Sequence, residues 1–310
     1  MFTSPNSTER VATTLLDMPS ETLSPIFEFA DRFVDEQSAL DPNLATSRGV
    51  AGFDHLLTDL SPAGYEARAA HLRTSLAALR ALPVTNDDDR RAKEFITERF
   101  TTSLAAIDAG EWMRAISAIS SPAGRLRSTF DLMSRDGEHA WADIVARVAA
   151  VPNSLGQLQA TYDQGRAQGI VAARRQAFAA ADQAATWATD RWFDSLVREA
   201  AGRDDVPAPL QAALAEAAAA ANTAYGAFAA YLRDTYAPDA DPNDGCGPQR
   251  YALGVRAFLG ADLDPAEMYE WAWGDFHHLR REQRATCARI LPGAAFAEVK
   301  AFNKTRLRNL

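Results

Sequence analysis

Apolar residues recur along this chain at steps of three and four. Ile26, Phe29, Phe33 and Val34 share one face over residues 25–40, and Leu72, Leu76 and Leu79 do the same over 62–82. Ala, Leu, Arg, Glu and Gln dominate, and all are good helix formers. Runs of alternating β-branched residues, the mark of strands, are missing. The pattern predicts an all-α fold, a bundle-like array of many helices.

The helix starts can be read directly. Ser24-Pro25, Ser61-Pro62, Ser121-Pro122 and Asp264-Pro265 each place a capping side chain before a proline. The cap oxygen accepts an orphan backbone N–H, and a proline at the first helical position loses no hydrogen bond. Asp41-Pro42 should stop the first helix and lead into a loop with Gly49 and Gly52. The run Asn86, Asp87, Asp88, Asp89 should feed a helix to about Ile107, its acids suiting a positive helix N-terminus; holding a metal is the alternative. Helices are expected over 122–133 and 139–150, with Pro152 breaking the latter and a helix resuming through Gln168. Two long alanine-rich helices should cover 173–200 and 209–236, the run 212–221 packing closely through small side chains. Helices over 249–259 and 265–290 follow. The expected organisation is a flexible segment 1–24, a helical domain 25–237, a linker 238–248 rich in Pro, Gly and Asp, a helical continuation 249–299, and a basic tail 300–310.

Charge and cysteines narrow the setting. With 32 basic and 41 acidic residues, the net charge is -9, which argues against nucleic acid or an anionic membrane as the main partner. Cys246 and Cys287 lack metal-knuckle spacing, so free thiols in a reducing compartment are expected, a disulfide between them being the alternative. The opening residues lack a signal-peptide pattern, and no stretch approaches a membrane span; a cytoplasmic location is expected.

Candidate chemistry is sparse. There is no HExxH, GxSxG, P-loop or GxGxxG motif. His55, His71 and His139 stand apart from one another. The densest spot is 265–290, where Met268, Trp271, Ala272, Phe276, Leu279, Cys287 and Ile290 form a stripe that reads as a core face. Beside it, Asp275, His278 and Glu282 lie at steps of three or four and could hold a metal, but the stronger reading pairs these carboxylates with Arg280, Arg281 and Arg284 as surface salt bridges, so no metal site is expected. Tyr251, Tyr269, Trp271 and Trp273 could line a cleft, though core filling explains them more simply. Arg174-Arg175 could grip an anion or form the charged edge of a helix start.

Three blocks carry a family likeness: FADRFVDEQSALDPNLATSRGV from Phe29, ARVAAVPNSLGQLQATYDQGRAQGIVAARRQ from Ala146, and GPQRYALGVRAFLGADLDPAEMYEWAWGDFHHL from Gly247. In this order they resemble the bacterial family called domain of unknown function 885, over about residues 25–300. The resemblance implies the front portion of a large helical, zincin-like peptidase. Its HExxPGH-type motif would supply zinc ligands and a general base. No counterpart of that motif exists here, so the resemblance assigns no zinc ligand or catalytic residue to this chain, and the expected cofactor is none. The chain alone is expected to be inactive and to self-associate through an exposed apolar face. The stretch 300–310, with four basic residues and no acid, raises a further expectation, that the reading frame is cut or shifted near Phe302. A stand-alone helical binding or scaffold protein is the alternative.

Overall fold

Each cap-plus-proline signal starts a helix. The computed structural model describes residues 24–308; the segment expected to be flexible, up to residue 23, lies outside them. The Ser24 hydroxyl accepts from Phe27 N at the head of α1 (Pro25–Leu40), and Ser61 from Gly64 N at the head of α3 (Pro62–Ala81). Asn86 opens α4 (Asp87–Asp108), Ser121 opens α5 (Pro122–Ser128), and both caps accept the backbone N–H three residues on. Each such cap contributes about 1 kcal/mol. Asp41 does the same for Leu44 N, so α2 (Pro42–Arg48) replaces the expected loop and ends at Gly49, whose φ of 74° is left-handed. Among the described residues there is no strand, only an isolated bridge between Ala173 and Asp241.

Two expectations give way to tertiary packing. The helix is not interrupted at Pro152: one helix, α6 (Gly137–Ala167), covers both expected pieces and ends one residue before Gln168. A proline inside a helix costs about 3 kcal/mol. Val148, Val151, Leu155 and Leu158, on both sides of it, are fully or almost fully buried. Each contributes about 1.5–3 kcal/mol, so burial outweighs the lost bond. Conversely, 173–200 is two helices, α7 (Arg174–Thr189) and α8 (Asp194–Ala201), parted by a turn where Arg191 has φ 50°. That left-handed residue costs about 1–2 kcal/mol. In return the turn buries Phe193 against Phe130, edge to face at 5.5 Å, with Asn222 accepting from Phe193 N.

The chain divides into two units, the first ending at Cys246 and the second running from Gly247. In the first, α6 and α7 pack on α9 (Ala208–Ala230), which continues as a π-helical turn, Tyr231–Tyr236. Ala177, Ala181 and Ala184 of α7 and Ala218 and Ala221 of α9 are buried, as close packing through small side chains requires. Gly165 of α6 is needed for the same reason, since a Cβ there would lie 2.7 Å from Ile170 O and 2.8 Å from Met113 O. A smaller core joins Ile26, Phe29, Leu72, Leu76, Leu79 and Phe100 from α1, α3 and α4. The second unit holds α10 (Gly247–Leu259), α11 (Pro265–Ile290) and α12 (Phe296–Arg308). Among its described apolar residues only Cys287 and Val299 are buried.

The acidic run at 86–89 serves as helix-start chemistry. Asp89 is fully buried, and its carboxylate accepts from the hydroxyls of Ser24 and Thr85 and from Thr85 N. The Ser24 and Thr85 hydroxyl bonds hold its pKa below the usual carboxylate value. A carboxyl depressed in the folded state stabilises it above the unfolded pKa, about 3.9, and loses that contribution as pH falls through the folded value. The stability advantage of the wild type over Asp89→Ala, measured by urea unfolding, should therefore be full at pH 7 and shrink below about pH 4. A constant difference down to pH 2 would refute this.

Candidate functional site

The residues singled out on α11 stay apart. Asp275 is half-buried, while His278 and Glu282 are exposed. Among the described residues no group of three or more His, Cys, Asp or Glu side chains is placed to hold a metal ion. No ion pair with a described residue joins Arg280, Arg281 or Arg284 to these carboxylates; Arg280 instead lies over the Phe276 ring at 5.6 Å. Cys246 and Cys287 are not joined in a disulfide; Cys246 is exposed and Cys287 buried.

Among the described residues of the second unit, the apolar stripe of α11 is not a core face. Trp271 is 71% exposed and Tyr269 61%, and Tyr251, Trp273, Phe276 and Leu279 are exposed as well. Of the stripe only Cys287 is buried. Tyr269, Trp273 and Phe276 stack edge to face along the helix at 6.1 and 5.4 Å, and Trp273 stacks on His277 at 5.6 Å. These rings satisfy one another's edges but leave their outer faces in water. Tyr251, Tyr269, Trp271 and Trp273, expected to line a cleft or fill a core, are all exposed among the described residues.

Arg174 and Arg175 are engaged by groups of the chain itself. The Arg174 guanidinium donates to the carbonyls of Ala237, Pro238 and Ala240, closing the end of the π-helical segment, and Arg175 pairs with Asp244 at 3.1 Å.

The structure gathers a different set in the first unit. A cleft of about 470 Å³ opens between α1, α3 and α4, with Arg48 of α2 and Trp112 of the short 3₁₀ turn (Glu111–Arg114) at its edges. Tyr65, Arg68, His71 and Leu72 line it from one face of α3. Its walls are ring systems. Tyr65 stacks on Trp112 at 4.8 Å, His71 on Phe33 at 5.2 Å, and Phe33 meets Phe100 at 4.5 Å. The Arg68 guanidinium lies 4.5 Å over the Tyr65 ring and donates to Asp59 O; Arg48 donates to Gln37 Oε1. Arg99 of α4 completes a set of three arginines. Burial pushes the Tyr65 phenol up, and the nearby Arg68 and Arg125 pull it part of the way back. His71 Nε2 is buried without a hydrogen-bond partner, while its Nδ1 lies 3.8 Å from Glu36. Tyr65 and Arg68 also line a neighbouring hollow of about 220 Å³ with Asp41, Thr58 and Arg125. In the sequence His71 stands alone; only the step from Tyr65 to Arg68 to His71 hinted at a shared face.

The architecture is thus that of an all-α array whose first unit has its own core and whose second carries an open aromatic face. The chain belongs to the family described as "Bacterial protein of unknown function (DUF885)", whose sequence profile matches residues 42–309, basic stretch included. Its fold is similar to a solved structure described as that of "a putative lipoprotein of unknown function from Shewanella oneidensis". The TM-score is 0.69 at 14% identity, and the match covers 87% of this chain and 49% of that one. The chain therefore spans about half the length of that relative. No curated protein matches the chain. Among the described residues no helix is long and apolar enough to cross a membrane.

Proposed function

We propose that this chain supplies the helical, non-catalytic part of a hydrolase of zinc-peptidase type, and that the α11 face packs against further polypeptide of such a protein. One observation carries the reading: a 26-residue helix keeps Tyr269, Trp271, Trp273, Phe276 and Leu279 in water. Contiguous apolar surface of that kind marks an interaction site. The solved relative, twice as long as the matched region, supports an occupant of the family's own making. A zinc hydrolase needs about three protein ligands and an open position. The donors among the described residues do not fit that need, so no hydrolytic step is assigned to them. A reducing, cytoplasmic setting belongs to this reading.

The test uses the purified chain. It should hold no stoichiometric zinc, leave an unfolded protein substrate such as casein intact, and self-associate with concentration in light scattering. The double variant Trp271→Ala/Trp273→Ala should reduce that association. Stoichiometric zinc lost in His278→Ala would overturn the proposal in favour of a small metalloenzyme on α11. A monodisperse chain that binds no anilinonaphthalene sulfonate would favour a stand-alone binding protein, a reading that the complete core of the first unit also supports.

A further inference from the structure

The cleft between α1, α3 and α4 combines positive charge with flat apolar walls. Its lining includes Arg48, Arg68, Arg99 and His71, and no aspartate or glutamate is among the described residues that line it. This occurs in a chain with nine more acidic than basic residues. A concave surface lined by one sign of charge focuses its field and concentrates the opposite ion. The rest of the lining is flat and apolar: Phe33, Leu72, Phe100, Ile107 and the Tyr65–Trp112 stack. A volume of about 470 Å³ falls in the range of small-molecule sites, which pair apolar walls with a few convergent polar groups.

We propose that this cleft is a binding site for a small aromatic carboxylate. The ring body would lie against the Tyr65–Trp112 and Phe33–Phe100 surfaces, and the carboxylate would meet the arginines. Guanidinium groups match carboxylate oxygens in a planar fork, which an ammonium cannot do, and the cationic set here is arginine throughout apart from His71. His71 adds a further flat ring to the lining, stacked on Phe33 at 5.2 Å. Glu36 can balance any charge on His71, 3.8 Å away, so the positive charge of the site is carried by its arginines. Gln37 is neutral and orients Arg48, and Glu36 sits outside the lining, facing His71 Nδ1. This inference rests on the first unit alone and is independent of the docking role given to α11.

The probe is 2-naphthoate, with 2-naphthamide as its neutral isostere, each titrated into the full chain by calorimetry. Naphthoate should bind about tenfold or more tightly than the amide, and added salt should narrow the gap. Arg48→Gln and Arg99→Gln should each weaken naphthoate several-fold and leave the amide unchanged. Arg90→Gln, on an exposed turn of α4 outside the lining, should alter neither. Equal binding of acid and amide, no binding of either, or unchanged naphthoate binding in folded Arg48→Gln and Arg99→Gln would overturn the proposal. Should one variant fail to fold, the acid–amide comparison in the wild type decides.

Discussion

Arg147→Met is expected to destabilise the first unit by about 3 kcal/mol or more. Arg147 has no solvent exposure, although it carries a full charge. Its guanidinium donates to Leu56 O at 2.7 Å, Phe53 O at 3.1 Å, Pro42 O at 3.4 Å and Thr46 Oγ1 at 2.9 Å, with Asp54 at 3.7 Å. Burial pushes its pKa down to about 10, the nearby Asp54 and Asp143 opposing this, so it stays charged at neutral pH. Methionine matches much of the stem's volume but offers no donor. Each acceptor left buried and unpaired costs about 1–3 kcal/mol, and rim water can rescue some but not all of four. Arg147→Lys keeps the charge but cannot reach all four acceptors, so it should fall between the two. Urea unfolding followed by circular dichroism measures the loss, and a cost below about 1 kcal/mol for the methionine variant would show that these bonds matter little. The effect should extend to ligand binding. The segment 42–58 that Arg147 fastens carries Arg48 to the cleft edge, so its release should weaken 2-naphthoate binding as Arg48→Gln does.

Arg147 also shows where sequence reading stops. Its partners lie 91 to 105 residues away along the chain, a distance over which no periodicity or cap carries information. The caps were legible because their chemistry is local: Ser24, Ser61, Ser121 and Asp264 act on backbone two or three residues ahead. Asp41-Pro42 has the same local chemistry, and treating its proline only as a stop hid α2. The failures at Pro152 and at 190–193 have one cause. In both places the local preference was a few kcal/mol and distant side chains outweighed it, Phe130 and Asn222 in the second case. The cleft was not read from the sequence. Tyr65, Arg68 and His71 share a helix face by spacing, but Arg48, Arg99 and Trp112 arrive from three other elements. On α11 the period was read correctly and its meaning was not, because a stripe of Trp271, Phe276 and Leu279 says that something covers it without saying whether this chain does.

That distinction leads to the second large effect, a comparison of two tryptophans on long helices. Trp141→Ala is expected to cost about 3–5 kcal/mol, the range for truncating a fully buried large aromatic. Trp141 has no exposed surface; its Nε1 donates to Arg135 O at 3.1 Å, and the Arg135 guanidinium lies over the ring at 5.6 Å. Arg135 in turn donates to the carbonyls of Phe130 and Met133, so the cavity would also loosen the end of the segment that positions Phe130. Trp271→Ala should change stability by no more than about 0.5 kcal/mol, since a ring 71% exposed leaves little cavity and takes with it no hydrogen bond that the structure records. Its effect should fall on association instead, moving the light-scattering mass toward the monomer. Were Trp271→Ala to cost as much as Trp141→Ala at protein concentrations too low for association, α11 would be covered by its own chain in solution. The face would then be core, and the docking role proposed for it would fail, while the arginine-lined cleft of the first unit would stand or fall on its own titration.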